Sequence, residues 1–157
     1  MAWNFQCTIG VMLGIFDSGC GGLTVLRAIR GLLPDRAVVY LGDNARLPYG
    51  ERSREEVTQY TWECCQYLFE RGCTLIVLAC NTASADTLRE LQQTWLPTFG
   101  QSPRNILGVI RPLAEEAVLR TRNNRIAVVG TRSTITSGAY ERELKKLKQN
   151  ATVISQA

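Results

Sequence analysis

The sequence contains no histidine, which removes the commonest general base and the commonest metal ligand. Lysine is confined to Lys145, Lys146 and Lys148, one charged run near the C-terminus. A pyridoxal phosphate enzyme needs a lysine inside a pocket for its Schiff base, whereas this run reads as a solvated helix face. Proton-transfer chemistry must therefore rest on Cys, Asp, Glu or Tyr. There is no CxxC pair, so a structural zinc site is not expected and no metal is assigned. No apolar stretch approaches a membrane span, and no membrane partner is expected. The apolar run Ile9 to Phe16 lacks the basic flank and small-residue cleavage site of a secretory signal. The cysteines Cys7, Cys20, Cys64, Cys65, Cys73 and Cys80 accordingly read as free, mostly buried thiols in a reducing cytoplasm.

What is present is ordinary for a globular chain. The 157 residues are 45% apolar and 20% charged, enough to bury a core and unlike a disordered or fibrous sequence. Lys plus Arg number 18 against 14 Asp plus Glu, a net charge of +4. That excess suits an anionic small ligand, and without a focused basic stripe no nucleic-acid partner is expected.

Short apolar runs alternate with amphipathic stretches. Ile9 to Phe16 reads as a strand, Leu23 to Leu33 as a helix, Ala37 to Leu41 as a strand. Ser53 with Glu56 resembles a capping box that opens a helix to about Arg71, which Gly72 stops. Thr74 to Ala79 is a further strand, and Cys80-Asn81-Thr82 leads into a helix ending near Leu96-Pro97. Thr98 to Asn105 is the linker candidate. Ile106 to Ile110 begins the cycle again, with a helix Leu113 to Arg120, a strand Arg125 to Val129, a helix from about Thr136 to Gln149 and a strand from Thr152. This order predicts an α/β class built as a parallel-sheet αβα sandwich, residues 1–97, followed by the start of a second similar domain, residues 106–157. Ligands in such sheets sit beyond the carboxyl ends of the strands, so the loops Asp17 to Gly22, Gly42 to Arg52 and Cys80 to Thr82 matter most.

Cys80 stands between a buried strand and a helix, where free backbone amides favour a thiolate. The bland alternative is a core cysteine with Asn81 as an ordinary helix cap. Asp17-Ser18 offers a carboxylate and a hydroxyl beside glycines. Gly19-Cys20-Gly21 could instead open a dinucleotide fingerprint with Asp43 on the ribose, but Thr24 stands where the third glycine belongs. Tyr49-Gly50 either presents a hydroxyl and an amide to a ligand or packs under its loop. Cys64, Cys65, Cys73 and Cys7 favour a packing role, and Cys20 stays ambiguous because its loop faces the expected cleft.

Taken together, IFDSGCGGLTVLRAIRGLLP, YLGDNARLPYGERS and LIVLACNTASADTL resemble glutamate racemase in order and spacing, and GTRSTITSGAY is similar to a later motif of that family. The resemblance covers nearly everything from Gly10 onward. It implies a cofactor-independent isomerase that interconverts L- and D-glutamate for bacterial peptidoglycan synthesis, using two cysteines on opposite faces of the substrate Cα. Carried over residue by residue, Cys80 is the first of those bases and acts on the D-isomer. Asp17, Ser18, Tyr49, Gly50, Asn81 and Thr82 are substrate contacts, Asp17 also assists proton transfer, and Thr131 and Thr134 are further candidates for the amino-acid pocket. The resemblance brings no cofactor, a small-molecule partner, glutamate, and a homodimer for the full-length protein.

Some positions depart from the family pattern. The family continues through a Cys-Thr-His segment that carries the second cysteine, and no cysteine follows Cys80 here. The expectation is a truncated racemase that does not invert glutamate alone. Cys20 stands where a small or aliphatic residue is usual and is not taken as the second base. Arg111 stands where an acid is common, and residues 1–11 read as extra lead with Met12 a candidate start. The competing readings are an aspartate or hydantoin racemase, a non-catalytic amino-acid-binding fragment and a nucleotide-binding domain.

Overall fold

The computed structural model describes residues 12–99 and 103–157; the expected lead and the middle of the expected linker lie outside the described residues. Strand β1 (Met12–Asp17), helix α1 (Leu23–Leu32), β2 (Val38–Gly42), α2 (Arg54–Glu70) and β3 (Cys73–Leu78) follow the predicted alternation within one residue at each end, apart from the start of β1, whose expected residues 9–11 lie outside the described residues. Ser53 opens α2 with a complete capping box, its hydroxyl accepting from Glu56 N while the Glu56 carboxylate accepts from Ser53 N. The strands join in a wholly parallel sheet of order β2-β1-β3-β4, where β4 is Asn105–Gly108. Ile106, expected to open a second unit, pairs with Ile76 of β3. The strand after the expected linker therefore extends the first sheet. Local periodicity reports that a strand exists but not which edge it joins.

The two faces of this sheet are filled unequally. Gly14, Phe16, Ile76 and Leu78 alternate toward α2, and the last three join Leu68, Val57, Cys65 and Ile106 in the main core. Leu13 and Ile15 point the other way onto Val25, Leu26 and Ile29 of α1. No residue of α1 is fully buried, because one short helix must cover a four-stranded face.

After β3 the chain does not form the single helix expected up to Leu96-Pro97. It forms α3 (Asn81–Asp86), α4 (Leu88–Glu90), a π-helical turn over Leu91–Trp95 and a 3₁₀ turn over Leu96–Phe99. Helix α5 (Ile110–Arg120) then leads to β5 (Arg125–Val129), which pairs in parallel with β6 (Thr152–Gln156) as a second, two-stranded sheet. Between them lie α6 (Arg132–Thr136) and α7 (Ala139–Leu147), where one helix from Thr136 was expected. Gly138 separates them at φ +63°, a left-handed conformation that glycine adopts without a Cβ penalty. Ala114, Val128, Tyr140 and Leu144 form the core of this layer. Arg111 bonds Glu115 on its own helix at 2.7 Å and Glu143 on α7 at 3.0 Å, so its basic character ties α5 to α7.

Candidate active site

Sheet order locates the site. From β1 the chain turns one way to β2 and then crosses to β3 on the other side, so the switch point lies between β1 and β3. A crevice opens there beyond the carboxyl ends of the strands. Ala79 N donates to Phe16 O at 2.7 Å, which sets the Cys80 turn beside the Asp17-Ser18 turn. The Cys80 thiol then donates to Ser18 Oγ at 3.3 Å and its sulfur accepts from Ala83 N at 3.5 Å. Cys80, not Asn81, is thus the cap of α3. Asn81 is the first residue of the helix, and its Oδ1 accepts from the Tyr140 hydroxyl at 2.6 Å.

These groups open on a cleft of about 980 Å³ whose walls include Asp17, Ser18, Cys80, Asn81, Thr82 and Thr131. Its far side is apolar, with Leu107, Val109, Pro112 and Leu113. Among the described lining residues there is no lysine or arginine; the charged ones are Asp17 and Glu116. An anionic ligand here must be received by hydroxyls and amides. Asp17 Oδ2 accepts from Gly19 N at 3.0 Å, which holds the first turn closed. Among the described residues no three His, Cys, Asp or Glu side chains converge as metal ligands.

Tyr49, Gly50 and Thr134 stand behind the cleft wall. The Tyr49 ring is buried against Phe16 and Tyr60, and its hydroxyl donates to Asp43 Oδ2 at 2.6 Å. Burial and that hydrogen bond push the phenol well above its ordinary value. Of the two roles open to this tyrosine, its ring and hydroxyl take the packing one. Gly50 abuts Thr131 so closely that a Cβ would lie 2.8 Å from Thr131 Cβ. Thr131 Oγ1 in turn meets Thr82 Oγ1 and Thr134 Oγ1, each at 3.0 Å, so three hydroxyls link α3 to α6. Asp43, the ribose candidate of the nucleotide reading, is buried and bonded to Tyr49 and Arg46.

Two neighbours of the site escape sequence reasoning. Tyr40 sits in β2 and its hydroxyl donates to Gly19 O at 2.9 Å. Burial, with Asp17, Cys20 and Cys80 nearby, pushes its phenol up to about 12. Tyr140 lies inside the quoted GTRSTITSGAY segment, but no local signal pairs it with Asn81. Of the remaining thiols, Cys64 is pushed up to about 12 by burial and the Asp43 carboxylate, and burial raises Cys65 and Cys73. Cys20 is exposed on the cleft rim.

A capping thiol, hydroxyls and a carboxylate thus gather at the switch point of a parallel α/β sheet. The sequence profile of the Asp/Glu/Hydantoin racemase family matches residues 23–156, and the chain belongs to that family. It is 49% identical over 134 residues to the glutamate racemase of Aquifex aeolicus, covering 85% of this chain and 50% of that protein. The solved glutamate racemase of Aquifex pyrophilus superposes with a TM-score of 0.84 at 44% identity, covering 94% of this chain and 55% of that one. The glutamate racemase of Francisella tularensis, solved in complex with D-glutamate, gives 0.77 at 32% identity, covering 93% of this chain and 52% of that one. The chain spans about half the length of the relatives it matches.

Proposed function

We propose that the chain binds glutamate in the Cys80 cleft and that Cys80 exchanges the Cα proton of the D-isomer, one half of a two-cysteine racemisation that supplies D-glutamate for peptidoglycan. The observation that carries this reading is the Cys80 thiol at the switch point, 3.3 Å from Ser18 Oγ and beside Asp17 on the cleft wall. As thiolate, the sulfur forms an S–H bond as the Cα–H bond breaks, and the electron pair passes into the α-carboxylate as an enediolate. The Asn81 and Thr82 polar groups are placed to meet that developing charge. The similarity to a racemase solved with D-glutamate supports the choice of ligand. Free thiols among the described cysteines fit a reducing cytoplasm.

A single sulfur returns the proton to the face it came from, because inversion needs an acid on the opposite face. No cysteine follows Cys80 in these 157 residues. The polypeptide is therefore expected to wash deuterium into D-glutamate in heavy water without forming L-glutamate, with Cys80→Ser abolishing the exchange. Exchange that survives Cys80→Ser, or robust L-glutamate formation by the purified polypeptide, overturns the proposal.

A further inference from the structure

Asp43 follows β2, contributes nothing to the cleft lining and is 8% exposed, yet it meets both turns that flank the site. Its backbone N–H donates to Asp17 O at 2.9 Å. Its Oδ2 accepts from the Tyr49 hydroxyl at 2.6 Å and from Arg46 Nε at 2.6 Å. Arg46 continues the tie to α2: it donates to Glu63 Oε2 at 2.5 Å and its guanidinium stacks 4.5 Å over the Tyr60 ring. Burial works against that charge, but Glu63 and Asp43 hold the guanidinium protonated. Tyr49 directly precedes Gly50, which is seated on Thr131, and Thr131 bonds to Thr82. A continuous series of contacts thus runs from the Asp17 turn through Asp43 to Thr131 and Thr82 in the cleft wall.

We propose that Asp43 is a positioning residue: its carboxylate fixes the Tyr49-Gly50 turn against the Asp17-Ser18 turn and so, through Gly50 seated on Thr131, sets where Thr131 and Thr82 stand relative to Asp17 and Ser18 in the wall of a cleft that takes a dicarboxylate. The ligand part of this rests on the glutamate reading; the positioning part does not. A carboxylate is suited to the task because one oxygen can accept a phenol and a guanidinium together through charge-assisted hydrogen bonds. An asparagine still accepts from Tyr49 but loses the ionic attraction to Arg46, while an alanine loses both.

Hydrogen–deuterium exchange read by mass spectrometry on the 157-residue protein tests this, since local opening reports local rather than global stability. Residues 44–52 should exchange about tenfold faster in Asp43→Ala, and about threefold faster in Asp43→Asn and Tyr49→Phe, as expected for losing one or two buried hydrogen bonds. Residues 73–78 of β3 should exchange as in the wild type. D-glutamate affinity, measured by calorimetry, should fall in the same order, with asparagine rescuing most of the alanine loss. If Asp43→Ala does not fold, the asparagine and phenylalanine variants decide. The proposal is overturned if 44–52 is unchanged in those two variants, if β3 accelerates equally, or if all variants bind D-glutamate as the wild type does. If the wild type gives no D-glutamate heat while the exchange pattern holds, the glutamate reading fails and the positioning role stands.

Discussion

The Tyr140 hydroxyl reaches Asn81 Oδ1 at 2.6 Å across 59 positions of sequence, joining α7 of the second layer to the residue that follows Cys80. Burial raises the phenol above its ordinary value, so it remains a donor throughout the neutral range. Tyr140→Phe removes the donor while keeping the ring packed against α5. We expect a loss of about 1 kcal/mol in urea unfolding. D-glutamate affinity should weaken severalfold, because the Asn81 amide is then free to rotate. Unchanged affinity in calorimetry would show that Asn81 is not held for the ligand.

Gly50 and Thr131 supply a second test. A Cβ at position 50 would lie 2.8 Å from Thr131 Cβ and 3.0 Å from its Cγ2, and neither atom can swing away as a long side chain would. Gly50→Ala should therefore cost about 1–3 kcal/mol through overpacking. The strain falls on the contact that joins the Tyr49 turn to the threonine cluster, so ligand affinity should fall with it. Urea midpoints within about 0.5 kcal/mol of wild type would mean the two loops are not in fixed contact.

Features written in local chemistry could be read directly from the chain. Ser53 and Glu56 announce the start of α2, and the apolar run before Cys80 announces a buried strand ending at a polar turn. That the Asp17-Ser18 and Cys80 turns lie at the same end of the sheet follows from the parallel strands expected of an alternating α/β chain, whereas their adjacency follows from the observed strand order. What could not be read is set by tertiary contact. Ile106 belongs to the first sheet because it pairs with Ile76, and Asp43 is occupied because Tyr49 and Arg46 fold over it. The helix after Cys80 breaks at Thr87, which is buried and bonds Ala83 O through its hydroxyl, although the apolar spacing there reads as continuous.

Alkaline pH should destabilise the fold in a specific window. The Cys64 thiol is held up to about 12 by burial and Asp43, whereas an unfolded thiol titrates near 8.5. Between those values the unfolded chain has lost a proton that the folded chain retains. Stability is therefore intact below about pH 8.5 and falls as pH rises toward 12, by about 1.4 kcal/mol per pH unit for each such group. Tyr40, held up to about 12, adds to the fall above pH 10. Cys64→Ala lowers the baseline by opening a cavity but should flatten the slope between pH 9 and about 11. An unchanged slope in urea midpoints across that range would show that Cys64 does not titrate with unfolding.

Thiol accessibility separates the cysteines by role. Cys20 is exposed, and Cys80, though mostly covered, opens on the cleft. Cys64, Cys65 and Cys73 are buried, with thiols raised by that burial, and a neutral buried thiol is a poor nucleophile. Among the described cysteines, iodoacetamide at pH 8 should label Cys20 first and Cys80 second, leaving Cys64, Cys65 and Cys73 intact until the protein unfolds. If D-glutamate binds against the sulfur as proposed, it should slow labelling at Cys80 more than at Cys20 on the rim. Peptide mapping after brief exposure reads these five described cysteines in one experiment. Labelling of Cys64 or Cys65 at the rate of Cys80 would mean that the sulfur at the switch point has no privileged access, and a Cys80 rate indifferent to D-glutamate would place the ligand elsewhere.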